Sequence, residues 1–349
     1  MTRKAGSAFV RVAAMVSVAA AAVVGVFAAQ GMSDEAAGWR SAFGRPSEIP
    51  VPEGGPDTAA HIELGRQLFF DPVLSRSRGI ACASCHDPSR HWGDGRMRGI
   101  GEPGIELMLR TPTLLNVGWI QPLGWDGKFP DLESVAFTPI TGANLMNLSE
   151  AELIDRLRDD PSYVSAFAAT FEDRAITRAG IERALAAFQR TIVSGEAPFD
   201  RWLSGDASAI GASAKAGFAL FTGKARCNEC HGGWAFTDGS FHDIGVGRGD
   251  DIGRGRLFPS SKGLRYAFKT PTLRDVAQRG PFMHDGSVPT LRDVIDLYDR
   301  GGIERPSRSP KIRPLRLSET EKADLLAFLE TLTAQDLAQG EPKRKADAR

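Results

Sequence analysis

All four cysteines of this 349-residue chain fall into two C-x-x-C pairs, and a histidine directly follows each pair. The two sets are Cys82, Cys85 and His86, and Cys227, Cys230 and His231. A disulfide framework, or a zinc site made of four thiolates, leaves both histidines unexplained. Covalent attachment of haem uses all six residues, because the thiols form thioethers with the vinyl groups and the histidine binds the iron. The pattern therefore predicts two haem c groups with His86 and His231 as iron ligands, and structural zinc is the alternative.

The sequence around the two pentapeptides repeats. Arg110-Thr-Pro-Thr-Leu114 recurs as Lys269-Thr-Pro-Thr-Leu273. Thirteen residues after the proline, one copy has Trp125-Asp-Gly127 and the other has His284-Asp-Gly286. A repeat of this length indicates duplication of a whole structural unit. We expect two haem domains of shared design, with Trp125 and His284 in equivalent places.

Apolar periodicity favours helices over strands. Residues 179–193 place Ile181, Leu185, Phe188 and Ile192 on one helical face, whereas alternation with a period of two is scarce. Ser149 with Glu152, and Ser318 with Glu321, have the spacing of capping boxes that open further helices. A short helix is also expected over residues 58–70. The predicted fold is mainly α, with two cytochrome c-like haem domains related by internal duplication.

We divide the chain into five segments. Residues 1–29 form a signal peptide, 30–56 an extended lead-in, 57–200 the N-terminal domain, 201–335 the C-terminal domain and 336–349 a disordered tail. The formal net charge is zero, although basic residues cluster over 248–265 and in the tail. A neutral chain gives no reason to expect nucleic acid or an anionic membrane surface as a partner.

The N-terminus has the features of an export signal. Arg3, Lys4 and Arg11 precede an uninterrupted apolar run from Val12 to Ala29. Because eighteen residues could just span a bilayer, an uncleaved anchor is the alternative, and only then would the protein be attached to a membrane. We expect a periplasmic protein.

Several motifs narrow the choice among haem proteins. In chain order they are Leu64-Gly-Arg-Gln-Leu-Phe-Phe-Asp-Pro72, Thr111-Pro-Thr-Leu-Leu-Asn116, Trp125-Asp-Gly127, Phe268-Lys-Thr-Pro-Thr-Leu-Arg274 and Pro281-Phe-Met-His-Asp-Gly-Ser287. From about residue 57 to 333 the chain resembles the bacterial di-haem cytochrome c peroxidases and their MauG-type relatives, which oxidise protein side chains. The resemblance implies a peroxide-reacting haem at His86 and an electron-transfer haem at His231. It also implies that Trp125 relays electrons between them.

The family's second haem takes a Met or a Tyr as its sixth ligand. The matching position here, fourteen residues after His284, is Tyr298. Leu291, Val294, Ile295 and Tyr298 share one helical face, so Tyr298 should be buried. A core tyrosine bonded to a backbone carbonyl, with Met283 as the iron ligand, is the alternative. A phenolate donor would lower the reduction potential of the iron.

The chain departs from the family pattern in three places. The loop 99–104 lacks the histidine that blocks the reactive haem in many relatives, so we expect an open first haem; a bis-histidine spectrum would refute this.

The distal Pro is kept as Pro139, but the Gln and Glu positions are Val135 and Leu145. A hydrocarbon cannot act as general acid or base. Arg110 replaces the asparagine that binds calcium in the family, so we expect no calcium requirement.

Two functions remain after this comparison. The first is a peroxide-dependent oxidoreductase that reacts with H₂O₂ and takes electrons from a small redox protein (a cytochrome c or a cupredoxin) or from a protein substrate. The second is a di-haem electron carrier without efficient peroxidase activity. Leu145 and Val135 favour the carrier, whereas the open first haem and Trp125 favour the enzyme.

Overall fold

The computed structural model describes residues 37–102 and 104–335, so the predicted signal peptide and tail lie outside the described residues. The helices are α1 (Ala59–Phe70), α2 (Cys82–Cys85), α3 (Leu132–Thr141), α4 (Glu150–Arg158), α5 (Pro161–Thr170), α6 (Arg178–Arg190), α7 (Pro198–Leu203), α8 (Ala212–Thr222), α9 (Leu291–Arg300) and α10 (Glu319–Glu330). The strands are β1 (Ile100–Gly101), β2 (Ile105–Glu106), β3 (Phe241–His242) and β4 (Phe268–Lys269). β1 pairs with β2, and β3 with β4, both antiparallel.

Each half is built on one pair of closely crossing helices. In the first half α1 crosses α6 at Gly65, where an added Cβ would lie 1.8 Å from the carbonyl oxygen of Ala184. In the second half α8 crosses α10 at Gly217, where the same addition would lie 1.9 Å from the carbonyl oxygen of Asp324. Only glycine allows two helix backbones to approach so closely. The duplication predicted from the sequence is therefore visible in the packing.

Two apolar cores accompany these helix pairs. The first extends from Leu64 to Ile192, and the second includes Phe199, Phe328 and, from the N-terminal side, Phe43. Residues 37–43 are helical, so the prediction of an extended lead-in is wrong for this part. The predicted boundary at 200/201 cuts through α7, which belongs to the second core; we propose to place the boundary before Pro198.

The helices otherwise follow the predicted signals. Thr58 caps α1, and Ser318 and Glu321 form a reciprocal capping box at α10. The box expected at α4 is only half formed: Ser149 accepts from the Glu152 N–H, but the Glu152 carboxylate binds Arg156 instead. Among the described residues, no helix has the length and apolar character needed to cross a bilayer.

The repeated segments hold the two halves together. The Arg110 N–H donates to the His284 carbonyl at 2.8 Å, and the Lys269 N–H donates to the Trp125 carbonyl at 2.8 Å. Since Arg110 corresponds to Lys269 and Trp125 to His284, these are equivalent bonds with the roles of the halves exchanged. The same register aligns α3 with α9, whose capping residues Asp131 and Thr290 also correspond.

Candidate di-haem site

A single cavity of about 1000 Å³ extends between the two halves. Most of its lining is hydrocarbon, but it also collects the side chains that the sequence analysis selected. These are Cys82, Cys85, His86, Trp125, Pro139, Cys227, Cys230, His231, Met283 and Tyr298. The two C-x-x-C-H motifs, far apart in sequence, therefore face one continuous space.

The two motif histidines are oriented alike. His86 Nδ1 lies 3.3 Å from the Trp92 carbonyl oxygen, and His231 Nδ1 lies 2.9 Å from the Phe236 carbonyl oxygen. A carbonyl only accepts hydrogen bonds, so Nδ1 carries the proton and Nε2 keeps a free lone pair. Burial lowers the pKa of both histidines, against a smaller opposing contribution from these carbonyls. Both rings are therefore neutral and prepared to bind a metal through Nε2.

The four cysteines remain unpaired thiols. Burial raises the pKa of Cys82 and of Cys227 to about 12, and the second thiol of each motif adds to the shift. A zinc site built from the four thiolates would leave both histidines without a role. The thiols and the histidine together match the donor set for covalent haem attachment.

Three buried cations beside the cavity form no ion pair with a carboxylate among the described residues, although Asp94 and Asp275 act at longer range on Arg110 and Arg279. Arg110, Lys269 and Arg279 are at most 9% exposed, line the cavity and hydrogen-bond to main-chain carbonyls. No ion pair joins them to a carboxylate of the described residues, and the Nε atoms of Arg110 and Arg279 are buried without a partner.

Burial alone lowers the pKa of Lys269 to about 8. Burial is also the main cause that lowers the pKa of Arg279 to about 9, and the nearby charge of Arg110 adds to that shift. Uncompensated buried charges are costly and are normally paired. Each haem carries two carboxylates, which would supply the missing negative charge. The cavity, the histidines, the thiols and these cations all fit two haem groups.

Trp125 and His284 lie side by side where the halves meet. Their ring centroids are 6.4 Å apart and nearly perpendicular. The Trp125 indole N–H donates to the Arg110 carbonyl at 2.8 Å. His284 stacks on Phe268 at 3.5 Å and is bonded through Nε2 to Asp251 at 2.6 Å. The predicted relay residue therefore has a fixed orientation in the wall of the cavity.

The hydroxyl of Tyr298 differs from those of the other two tyrosines. The Tyr163 hydroxyl donates to Asp71 at 2.8 Å, and the Tyr266 hydroxyl donates to the Gly249 carbonyl at 3.1 Å. No described residue hydrogen-bonds the Tyr298 hydroxyl. Burial raises the pKa of this hydroxyl, and the thiols of Cys230 and Cys227 lie close enough to raise it further. A core tyrosine tied to a backbone carbonyl is not what the structure contains.

The first half has a proline where the second half has that tyrosine. Pro139 lies within α3 and Tyr298 at the matching place in α9. Val135, Pro139 and Leu145 all line the cavity, as their predicted role in the distal pocket requires. Among the described residues, the carboxylates that line the cavity belong to Glu106 and Asp126. Leu145 itself contributes only hydrocarbon.

Arg110 lies where the sequence comparison expected a calcium ligand. Its guanidinium donates to the carbonyl oxygen of Arg279 in the other half. The hypothesis that a guanidinium donates to carbonyls at the junction is consistent with this contact, and calcium independence stays a prediction. The sequence analysis did not single out Lys269 or Arg279. The signal for Lys269 was available, because a basic residue precedes Thr-Pro-Thr-Leu in both repeats.

Known proteins show the same design. The family described as di-haem cytochrome c peroxidase matches residues 59–208. Methylamine utilization protein MauG of Methylorubrum extorquens is 49% identical over 312 residues, which cover 89% of this chain and 88% of that protein. This chain belongs to the di-haem cytochrome c peroxidase family. Within it, cytochrome-c peroxidase IdrP1 of a Pseudomonas species is 36% identical, covering 82% of this chain and 84% of the relative.

Solved structures of the family agree with the fold. A MauG-like protein associated with microbial copper homeostasis superposes with a TM-score of 0.77 at 32% identity, covering 84% of this chain and 95% of that one. The di-haem peroxidase BthA of Burkholderia thailandensis gives a TM-score of 0.72 at 22% identity, covering 84% and 91%. The predicted fold class and the two haem c cofactors are confirmed, and the protein is a di-haem peroxidase-type oxidoreductase.

Proposed function

We propose that this protein is an exported, periplasmic oxidoreductase that reduces H₂O₂ at the haem attached to Cys82 and Cys85. Electrons reach that site through Trp125 from the haem attached to Cys227 and Cys230. One observation carries the proposal: the two halves are equivalent in fold, but the position that holds Tyr298 in the second half holds Pro139 in the first.

When bound, each haem supplies an iron that exchanges single electrons and, where a coordination position stays free, reacts with peroxide. His86 and His231 are the residues that would hold the iron, through Nε2, since Nδ1 of each is committed to a carbonyl. Tyr298 offers an oxygen donor with no competing hydrogen bond. Pro139 has no donor atom in its side chain, so it leaves its position open.

Trp125 is suited to carry an electron without moving a proton. Its indole N–H donates to the Arg110 carbonyl, and an amide oxygen is far too weak a base to accept that proton. The Arg110 N–H in turn donates to the His284 carbonyl in the other half. The ring is therefore fixed between the halves while its charge changes, which keeps structural reorganisation small.

The electrons come from a small redox protein or from an oxidisable side chain of a protein substrate. The first kind of donor is supported by relatives named cytochrome-c peroxidases, and the second by the resemblance to MauG-type enzymes, since one relative is a methylamine utilization protein MauG. Reduction of peroxide to two molecules of water consumes two electrons and two protons, so two haems can deliver both electrons in one turnover. The apolar run 12–29 is the proposed export signal.

An electron carrier is the second candidate, favoured by one observation. Leu145 and Val135 line the cavity at the positions where the family resemblance implies a Glu and a Gln, and a positioned acid or base such as that Glu typically contributes about 10²–10⁴ in rate. A pocket without one exchanges electrons readily but reacts with peroxide slowly.

Rapid mixing of the haem-loaded oxidised protein with H₂O₂ separates the two functions. The enzyme should change its haem absorbance after mixing and consume one peroxide for every two electrons supplied by a small-molecule reductant. A Trp125→Phe variant should keep the first absorbance change but turn over at least about tenfold more slowly, because it removes the relay. A protein that exchanges electrons with the reductant but leaves peroxide unconsumed is the carrier.

A further inference from the structure

The two halves differ most in one connection. Between the Asp-Gly pair after the haem motif and the Thr-Pro-Thr-Leu segment, the first half uses residues 96–109 and the second uses 240–268. The second connection is about twice as long. Its outer part, residues 248–265, contains the basic cluster noted in the sequence, and we call it the basic loop.

The basic loop combines exposed apolar side chains with an excess of exposed positive charge. Leu257 is 38% exposed and Phe258 is 44% exposed. The exposed charged residues of the loop are Arg248, Asp250, Arg256, Lys262 and Arg265. Four of these five are basic, on a chain whose formal net charge is zero. An apolar centre with a polar, charged rim is the arrangement found in protein interfaces.

The exposure of Leu257 and Phe258 does not come from the haem cavity. Neither residue lines that cavity, so bound haem would not cover them. Exposed apolar residues of the first half are of two kinds, because Ile100 and Met108 line the cavity and would face bound haem, whereas others such as Ile105 and Val164 do not line it. Leu257 and Phe258 therefore need another explanation for their position on the surface.

The loop is held rigidly on the junction between the halves. The Arg254 guanidinium donates to the Asp126 carbonyl at 2.6 Å and stacks on Phe241 and Phe258, at 3.9 and 4.9 Å. Asp251 binds His284. Arg254 and Asp251 are thus used for anchoring, and Arg256 supports them by donating to the Asp250 carbonyl at 3.0 Å and lying 4.0 Å from the Asp251 carboxylate. Lys262 makes no hydrogen bond or ion pair with a described residue, so its charge is available to a partner.

These anchors bring the surface close to the proposed relay. Asp126 directly follows Trp125, and Arg254 links its carbonyl to the exposed Phe258. A protein seated on Phe258 would be separated from Trp125 by one guanidinium and one peptide unit. Phe268 and Lys269, which follow the basic loop closely in the chain, line the haem cavity, so a donor docked on the loop would also lie beside the cavity that its electrons must enter.

We propose that the basic loop is the docking surface for an acidic redox protein, whose apolar patch covers Leu257 and Phe258 and whose carboxylates face Arg256 and Lys262. This inference rests on the proposed function, because the docked protein is the electron donor named there. Complementary charge mainly accelerates association and fixes orientation. A bare polyanion would use the positive rim but leave the apolar centre unused.

Charge reversal tests the surface. The probe is a small acidic c-type cytochrome, reduced and mixed with the haem-loaded protein at low ionic strength, and a basic cytochrome c of similar size serves as the comparison. Arg256→Glu/Lys262→Glu should slow the second-order reaction with the acidic cytochrome by at least about tenfold and flatten its dependence on salt. The matched control Arg76→Glu/Arg158→Glu makes the same change in net charge on the exposed surface of the first half.

Apolar variants test the centre of the surface. Leu257→Ser/Phe258→Ser should weaken binding severalfold at every salt concentration, whereas Val164→Ser, at a residue 44% exposed in α5, should not. Equal effects of both charge-reversal pairs, or no effect of either, would overturn the proposal. So would binding of phosphatidylglycerol vesicles or single-stranded DNA in preference to the acidic cytochrome.

Failure of the docking surface can be distinguished from failure of the proposed function. Peroxide consumption with an uncharged small-molecule reductant needs no docking, so all these variants should match the unaltered protein in that assay. If the unaltered protein consumes no peroxide there, the proposed function fails, while cytochrome binding measured by calorimetry still reports on the surface. If peroxide is consumed but the variants bind normally, only the docking surface is wrong.

Discussion

Helices α3 and α9 occupy equivalent places in the two halves but present different side chains to the haem cavity. Each follows a polar cap, Asp131 or Thr290, and each lines the haem cavity. At their matching position α3 has Pro139 and α9 has Tyr298. In the first half no side-chain donor reaches the cavity from that place, whereas in the second a hydroxyl with no hydrogen-bond partner among the described residues does.

This difference shows how a duplicated scaffold can acquire two functions. The orientation of the motif histidine, the helix crossing at a glycine and the cation before Thr-Pro-Thr-Leu are kept in both halves. The features that set iron reactivity differ at single positions. Under the proposed function, one difference in a shared helix, Pro139 against Tyr298, would assign peroxide chemistry to one half and electron storage to the other.

The largest effect should come from making the first half resemble the second. A Pro139→Tyr variant restores a helical N–H and adds a hydroxyl at the position that Tyr298 occupies in α9. If the first haem has the open coordination position proposed above, peroxide consumption should fall to background, because the added hydroxyl would fill it. Electron paramagnetic resonance of the oxidised protein should show the loss of the five-coordinate haem.

Pro139→Ala is the control, since it changes the backbone but adds no donor, and it should keep most of the activity. The converse change, Tyr298→Phe, should remove one six-coordinate signal. If Tyr298→Phe leaves the spectrum unaltered and Met283→Leu alters it, the ligand is Met283 and the comparison of α3 with α9 is wrong.

A smaller effect is expected from giving the first half an acid-base group. Leu145→Glu places a carboxyl in the partly exposed wall of the cavity, where it can move a proton between peroxide oxygens. Peroxide consumption should rise by about 10²–10⁴-fold, the usual contribution of such a group. The rate is measured with saturating small-molecule reductant so that peroxide chemistry is limiting.

Leu145→Gln has nearly the same shape but cannot act as an acid or a base, so it should give little gain. Equal rates for the two variants would mean that polarity, and not proton transfer, limits the pocket. No gain from either would show that Leu145 does not occupy the distal position.

The sequence predicted the parts of the site that depend on local pattern. The haem motifs, the repeat, α6 and α9 all follow from spacing and periodicity, so they could be found without a structure. The contribution of Phe43 to the second core could not be predicted, because it depends on long-range packing. The half-formed cap at Ser149 shows a similar limit, since Arg156 competes for Glu152.

Lys269 offers the smallest and most selective test, because it asks whether the buried cations have anionic partners. Without an anion, burial lowers its pKa from 10.5 to about 8. The unfolded chain would then bind a proton that the folded protein lacks between pH 8 and 10.5, so the free energy of unfolding would rise with pH across that window by up to about 3 kcal/mol.

Haem carboxylates beside the ammonium should restore its pKa and remove this rise. We therefore expect the haem-loaded protein and its Lys269→Met variant to show parallel stability from pH 7 to 10 in denaturant titrations. A gain of stability above pH 8 in the unaltered protein alone would mean that Lys269 is unpaired, and that the cations at the junction do not hold the haem carboxylates.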